Sequence, residues 1–149
     1  MLTLLMLVAG GLAATQSAVN ARLSGLLGSP VQASFVSFCV GSLALCCILL
    51  LGRGGLPPLT RIVQVPPLYL VGGLFGVVFI TTAIFLVPRI GVVNVLFVGL
   101  AGQMMVAVLI DHFGLFGAAR YPVNVWKVAG LALIFIGIVC LKHETPRAG

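Results

Sequence analysis

The sequence predicts an all-α membrane protein, built as a bundle of five transmembrane helices, from its composition and from the length of its apolar runs. Of its 149 residues, 61% are hydrophobic and 7% are charged, whereas a soluble domain has about 25% charged residues. The mean hydropathy is +1.29, and the 19 glycines are typical of membrane helices. This composition excludes a soluble globular domain, a nucleic-acid-binding protein and a disordered chain.

The apolar runs are each about 20 residues long, which is the length that a helix needs to cross a bilayer. Their side chains do not alternate between apolar and polar, so barrel strands are excluded and helices must satisfy the backbone. The predicted spans, which form one transmembrane domain over residues 1–149, are residues 2–22, 31–51, 68–87, 91–110 and 123–141.

Prolines, glycines and charges set the boundaries of these spans. The loop at 52–67 is rich in proline and glycine, so we expect no sixth helix there. The boundary residues are, in chain order, Arg22, Ser29-Pro30, Gly52-Arg53, Pro66-Pro67, Pro88-Arg89, Asp111-His112, Tyr121-Pro122 and Lys142-His143.

The first twenty residues are apolar enough to imitate a signal peptide. They lack the positively charged start of a signal peptide, although Ala13-Ala14-Thr15 imitates a cleavage site. We therefore expect the first span to be retained.

No catalytic or metal-binding pattern is found in the sequence. The cysteines lie inside the predicted spans and form no CxxC pair, so we expect neither a metal nor a cofactor. They are Cys39, Cys46, Cys47 and Cys140. With two acids, two histidines and no nucleophile motif, we expect a protein that is not an enzyme.

Positive charge is evenly divided between the two faces of the predicted bundle. Four cations fall on each face: Arg53, Arg61, Arg120 and Lys127 on one, and Arg22, Arg89, Lys142 and Arg147 on the other. Because an excess of Lys and Arg on the cytoplasmic side sets orientation, a tie gives no orientation signal. Either the chain inserts both ways and pairs with an inverted copy, or an oppositely oriented partner decides, or one residue is assigned to the wrong face.

Many transporters consist of two units related by an axis in the membrane plane. The two halves of this chain show no self-similarity, so it can reach that architecture only by dimerising.

Several fragments resemble the YdcZ-type five-helix family of the drug/metabolite transporter superfamily. They are the segments 16–23 (QSAVNARL), 72–77 (GGLFGV), 88–91 (PRIG), Gly102-Gln103 and 110–115 (IDHFGL). The resemblance implies a multi-pass protein of the bacterial inner (cytoplasmic) membrane. It also implies an antiparallel pair of identical or sister chains. It supplies no substrate.

Polar side chains inside membrane spans are costly and are therefore candidates for function. Gln16 and Asn20 are four residues apart and share a face of the first helix. Gln103 lies in the fourth span beside Gly102 and two methionines. We predict that Gln16, Asn20 and Gln103 bind substrate in an uncharged polar cavity; the alternative role is hydrogen bonding between helices.

Asp111 and His112 are candidates for proton coupling, since a carboxylate and an imidazole can take up and release protons. Asp111 falls at a helix end, however, where water is present, and the alternative role is to stop the span. The first span contains no acid. Export of cationic drugs through a first-helix carboxylate, as in small multidrug exporters, is therefore disfavoured.

Rows of small residues predict close helix packing in the bilayer. The first row contains Gly10, Ala14 and Ala18, the second Ala33, Ser37 and Gly41, and the third Gly72 and Gly76.

These features together predict a small transporter, acting as an inverted homodimer or heterodimer, that exports a small polar or amphipathic molecule. Its partners are membrane lipid, its own copy or a sister chain, and the substrate. The alternative function is that of a membrane subunit that packs with a sister chain or a larger complex and transports nothing.

Overall fold

The structure is a computed structural model, which describes residues 2–52 and 55–144, with side chains through residue 141. All regular secondary structure in those residues is helical, as the sequence predicts. The α-helices are α1 (Leu2–Leu27), α2 (Pro30–Leu51), α3 (Leu59–Val63), α4 (Pro67–Leu70), α5 (Gly72–Ile90), α6 (Val92–Phe113) and α7 (Val125–Glu144). A 3-10 turn, Leu115–Gly117, follows α6.

Four helical segments of the described chain are long and apolar enough to cross a membrane. They are Leu2–Leu27, Pro30–Leu51, Pro67–Ile90, which joins α4 to α5, and Val92–Phe113. The apolar part of α7, Val125–Leu141, is shorter. Arg53 and Arg147, two of the cations in the charge tally, lie outside the described residues.

Several helices continue past the charges that bound the predicted spans. α1 continues through Arg22 to Leu27, and α6 continues through Asp111 to Phe113. α6 ends where Gly114 takes a left-handed conformation, with φ 65° and ψ 37°, which glycine adopts without steric cost. A charge marks where a helix leaves the hydrocarbon, but only the backbone geometry determines where the helix ends.

The chain forms two compact units, Met1–Arg89 and Ile90–Gly149. In the first unit α1 and α2 form a helical hairpin. Ser29 caps α2 by accepting a hydrogen bond from the Gln32 N–H at 3.4 Å, and Pro30 takes the first helical position, where its missing N–H costs nothing. α5 packs against α2, with the Phe38 ring beside Gly76.

In the second unit α6 packs against α7. Phe97 of α6 lies against Gly137 of α7. Asn124 stabilises the start of α7 by accepting a hydrogen bond from the Lys127 N–H at 2.9 Å, the bond typical of an N-cap side chain.

Few side chains are buried within the chain itself. The buried apolar residues are Ala33, Ala83, Ile84, Val87, Val95 and Ala101. Most large hydrophobic side chains of the described helices are exposed on the isolated chain. This is the arrangement expected where lipid is the solvent, since lipid tails are as apolar as the side chains they cover.

Candidate functional site

A stripe of polar side chains runs along the buried face of α1. Ser17, Asn20 and Ser24 are all buried, and their spacing of three and then four residues places them on one side of a helix. Ser17 donates a hydrogen bond to the Ala13 carbonyl of its own helix at 3.0 Å. Sequence reasoning identified only Asn20 of this stripe, although the helical spacing of the two serines was a signal available in the sequence.

Asn20 connects α1 to α2. Its Nδ2 donates to Ser37 Oγ at 3.1 Å, and the residue is only 5% exposed. This contact favours interhelical hydrogen bonding, one of the two roles that the sequence left open for Asn20.

α2 makes a similar polar contact with α5. Thr81 Oγ1 donates to Ser34 Oγ at 2.8 Å, and Ser34 is 2% exposed. Ala33, beside it, is fully buried. α2 is thus hydrogen-bonded to α1 through Ser37 and to α5 through Ser34.

Gln16 lies on the wall of an open cavity in the first unit. The cavity has a volume of about 410 Å³. Its lining is Gln16, Ser37, Phe38, Gly41, Ser42, Ala44, Leu45 and Ile48. The amide of Gln16 makes no side-chain hydrogen bond among the described residues, so its donors and acceptor are free toward the cavity.

Ser37 belongs both to this cavity and to the bond with Asn20. Since Asn20 donates to Ser37 Oγ, the hydroxyl hydrogen of Ser37 is left to donate elsewhere. No acceptor for it is found in the part of the chain that the structure describes. The structure therefore brings Gln16 and Asn20 together around Ser37, with Asn20 behind the cavity wall and Gln16 on it.

Gln103 lies in the second unit, on α6, and is exposed. Its side chain has no hydrogen bond to another described residue, and a Cβ added to the neighbouring Gly102 would meet no atom within 4 Å. Asn94, on the same helix, donates to the Ile90 carbonyl at 2.7 Å, so its amide is occupied locally.

Asp111 and His112 belong to a polar cluster that joins α6 to the start of α7. Lys127 Nζ lies 3.1 Å from Asp111 Oδ2 and 3.0 Å from the Tyr121 carbonyl. His112 Nδ1 accepts a hydrogen bond from the Val123 N–H at 3.2 Å. Asp111 and His112 therefore both bond to the segment around the start of α7.

The loop after α6 is fixed by bonds to the same two residues. Arg120 Nε donates to the His112 carbonyl at 3.0 Å, and the Tyr121 N–H donates to the Asp111 carbonyl at 2.8 Å. Sequence reasoning missed the pair of Asp111 and Lys127. The signal was present, since one acid and one lysine flank a short loop on the same predicted face.

The cations of the first unit that are described do not enter its cavity. Arg22 is exposed on α1. Arg89 donates to the Phe85 carbonyl, and its guanidinium lies 3.5 Å from the centre of the Phe85 ring. Such local contacts are typical of arginines at helix ends that reach toward head groups.

The rows of small residues divide into those in contact and those left open. Ala33 is buried, and Gly76 meets the Phe38 ring, 3.6 Å from the position of an added Cβ. Gly10, Gly41 and Gly72 have no such neighbour within 4 Å, and Ala14 is half-buried. The open positions leave room for a further helix or a ligand.

Metal-ligating side chains do not gather in the described residues, where no group of three His, Cys, Asp or Glu is found. The four cysteines are unbonded to one another.

Comparison with known proteins adds one finding to this geometry. A family model described as "Putative inner membrane exporter, YdcZ" matches residues 1–140. Neither a curated protein nor a solved structure gives a significant match. The match covers most of the chain and agrees with the membrane-length helices, so the protein is a multi-pass protein of the inner membrane and belongs to the YdcZ family.

Proposed function

We propose that this protein exports a small polar or amphipathic molecule as an inverted dimer, with the cavity beside Gln16 as part of its substrate site. The observation that carries the proposal is the free amide of Gln16 on the wall of a cavity of about 410 Å³. A polar group without a partner inside a membrane span is costly, and a polar substrate would supply the missing hydrogen bonds.

The chemistry of the cavity suits an uncharged or weakly polar ligand. Gln16, Ser37 and Ser42 are its polar lining residues, and none carries a charge. Phe38, Leu45 and Ile48 give it apolar walls. A lipophilic cation would find no counter-charge on this wall, which disfavours cationic drugs as substrates of this cavity.

Gln103 is our second candidate for substrate contact. Its amide is exposed and unpaired among the described residues, beside a glycine that leaves space open. We propose that Gln103 contacts the substrate during transport. The variant Gln103→Leu tests this role separately from that of Gln16.

We propose that α7 is the fifth span. Its 20 residues measure about 30 Å at 1.5 Å per residue, close to the hydrocarbon thickness of a bilayer. Lys127 lies in its first turn, where a long side chain can reach the interface.

Dimerisation would supply the second half of the transporter. An odd number of spans and an even distribution of cations both fit two copies in opposite orientations. Alternating access would then come from rocking the copies about the cavity. The description of the family as an inner membrane exporter favours this function over that of a subunit that transports nothing.

Proton coupling through Asp111 and His112 is a further proposal. The ion pair between Asp111 and Lys127 favours a structural role for the carboxylate. If a structural role is the only role of Asp111, the variant Asp111→Asn should leave the pH dependence of export unchanged.

Water access to the cavity can be measured without knowing the substrate. In a variant whose four cysteines are replaced by alanine, we expect Gln16→Cys to react with a membrane-impermeant thiol reagent. The matched control is Ala18→Cys, which lies at a similar depth on the opposite side of α1. Equal, slow labelling of both variants would remove the cavity proposal.

Export itself is tested by Gln16→Leu. Cells producing the wild-type protein should release a small polar or amphipathic solute that cells producing Gln16→Leu retain, because leucine cannot replace the amide. Thr15→Val is the control, since Thr15 bonds only to the Gly11 carbonyl of its own helix at 3.0 Å. Crosslinking shows whether the dimer persists. Unchanged release by Gln16→Leu, or no released solute with wild type, contradicts the function.

A further inference from the structure

A second pocket lies between α6 and α7, and the proposed export cavity does not use it. Its volume is about 260 Å³. Asp111, Lys127 and Trp126 line it together with apolar side chains that include Met104, Leu131 and Ile134. The pocket therefore combines an ion pair with a wall of apolar side chains, which is the lining expected of a site that binds an amphiphile.

The ion pair in this pocket leaves one donor and one acceptor free. Lys127 Nζ donates to Asp111 Oδ2 at 3.1 Å and to the Tyr121 carbonyl at 3.0 Å. An ammonium has three N–H donors, so one remains without an acceptor in the described chain. Asp111 Oδ1 likewise accepts no hydrogen bond from a described residue. The pocket thus presents both signs of charge side by side.

The position of the pair along the helices matches the depth of lipid head groups. Asp111 lies in the last turn of α6, and Lys127 lies in the first turn of α7. Trp126 is 84% exposed and Tyr121 is 59% exposed beside them. Exposed Trp and Tyr are typical of the interface between membrane and water.

We infer that the pocket formed by Asp111, Lys127, Trp126 and Met104 binds a phospholipid whose head group carries both a phosphate and a primary ammonium. The ammonium donates to Asp111 Oδ1, and the phosphate accepts the third N–H of Lys127. The acyl chains lie along the apolar wall. This binding site goes beyond the proposed export function and is formed by residues of the second unit alone.

The chemistry separates this head group from its relatives. A quaternary ammonium has no N–H and cannot donate to Asp111 Oδ1. An anionic head group without an amine pairs with Lys127 but leaves Asp111 facing a like charge. Soluble phosphoethanolamine carries both charges but gains nothing from the apolar wall.

Native mass spectrometry of the purified full chain tests the site with three lipids of matched acyl chains. They are phosphatidylethanolamine, phosphatidylcholine and phosphatidylglycerol. We expect the wild-type protein to retain phosphatidylethanolamine about tenfold better than the others, the effect of one charge-assisted hydrogen bond. Asp111→Asn and Lys127→Gln should each lose that preference.

The controls keep charge or remove it elsewhere. Asp111→Glu and Lys127→Arg retain the charges and should keep the preference, which separates binding from misfolding. Arg89→Gln removes a cation at a helix end of the first unit and should also keep it. Equal retention of the three lipids by wild type, an unchanged preference in both neutral variants, or equal competition by soluble phosphoethanolamine would overturn the inference.

Discussion

Asn20 and Ser37 illustrate how single residues connect the candidate site to the fold. Asn20 is buried and donates to Ser37, and Ser37 also lines the cavity beside Gln16. Asn20 is therefore a positioning residue for the cavity wall, while Gln16 is the residue expected to touch substrate.

Asn20→Ala should destabilise the α1–α2 hairpin by about 1 kcal/mol, the scale of an interhelical hydrogen bond in a membrane protein. Unfolding in mixed micelles measures the loss. Thr15→Val is the matched control on the same helix, because the Thr15 hydroxyl bonds within α1. Equal stability of Asn20→Ala and wild type would show that the bond contributes nothing.

Variants at Gly76 test the contact between α5 and α2. An added Cβ would lie 3.6 Å from the Phe38 ring, so Gly76→Ala should be tolerated and Gly76→Leu should force the ring aside, at about 1–3 kcal/mol. Gly72→Leu is the control, since nothing lies within 4 Å of an added Cβ there. The same unfolding assay gives the order of the three variants, and equal loss in both leucine variants would contradict this packing.

At the scale of elements, the turn between α6 and α7 is held by polar contacts. Its network includes the Asp111–Lys127 pair and the bond from the Val123 N–H to His112. In the first unit the corresponding contacts are hydroxyl and amide bonds between helices. The difference follows from depth in the bilayer. Charged groups are stabilised by water near the membrane surface, and neutral polar groups are used where water is scarce.

A double-mutant cycle of Asp111→Asn and Lys127→Gln should give a small coupling energy, about 0.5 kcal/mol. The pair is partly exposed, at 28% for the Lys127 side chain and 40% for Asp111, so solvent screens it. The single variants and the double variant are compared by unfolding in micelles. A coupling energy of several kcal/mol would place the pair in a much drier environment than we describe.

At the scale of the whole molecule, the proposed inverted dimer requires copies of the chain in both orientations. The charge tie leaves insertion undecided, so a few added lysines should fix it. Leu56→Lys with Thr60→Lys adds charge to one predicted face, and Gly25→Lys with Leu26→Lys adds it to the other.

Each lysine pair alone should place a C-terminal reporter on a single side of the membrane and abolish export. Coexpression of the two oppositely fixed forms should restore export, because they can form the inverted dimer. Wild type should report from both sides. Export by one fixed form alone would rule out the inverted dimer.

The sequence by itself determined that the chain is a helical membrane protein of this family, since hydropathy and the motif fragments are local properties that need no knowledge of distant partners. The helix ends were less predictable. Arg22 and Asp111 bound the apolar runs, whereas Gly28 and Gly114, with φ of 74° and 65°, lie where α1 and α6 end. A charge marks where a helix leaves the hydrocarbon, whereas a change in backbone conformation ends the helix.

Only the tertiary structure decided which polar groups find partners. Asn20 and Ser37 lie on consecutive helices, and Ser34 and Thr81 lie far apart along the chain. Asp111 and Lys127 lie on opposite sides of a loop. Such pairs depend on the rotation and the offset of one helix relative to its neighbour. Apolar side chains spread around a whole helix specify neither quantity. The packing of the helices also leaves the amide of Gln16 without a partner among the described residues. The sequence alone could not predict this, because it does not specify which side chains surround Gln16.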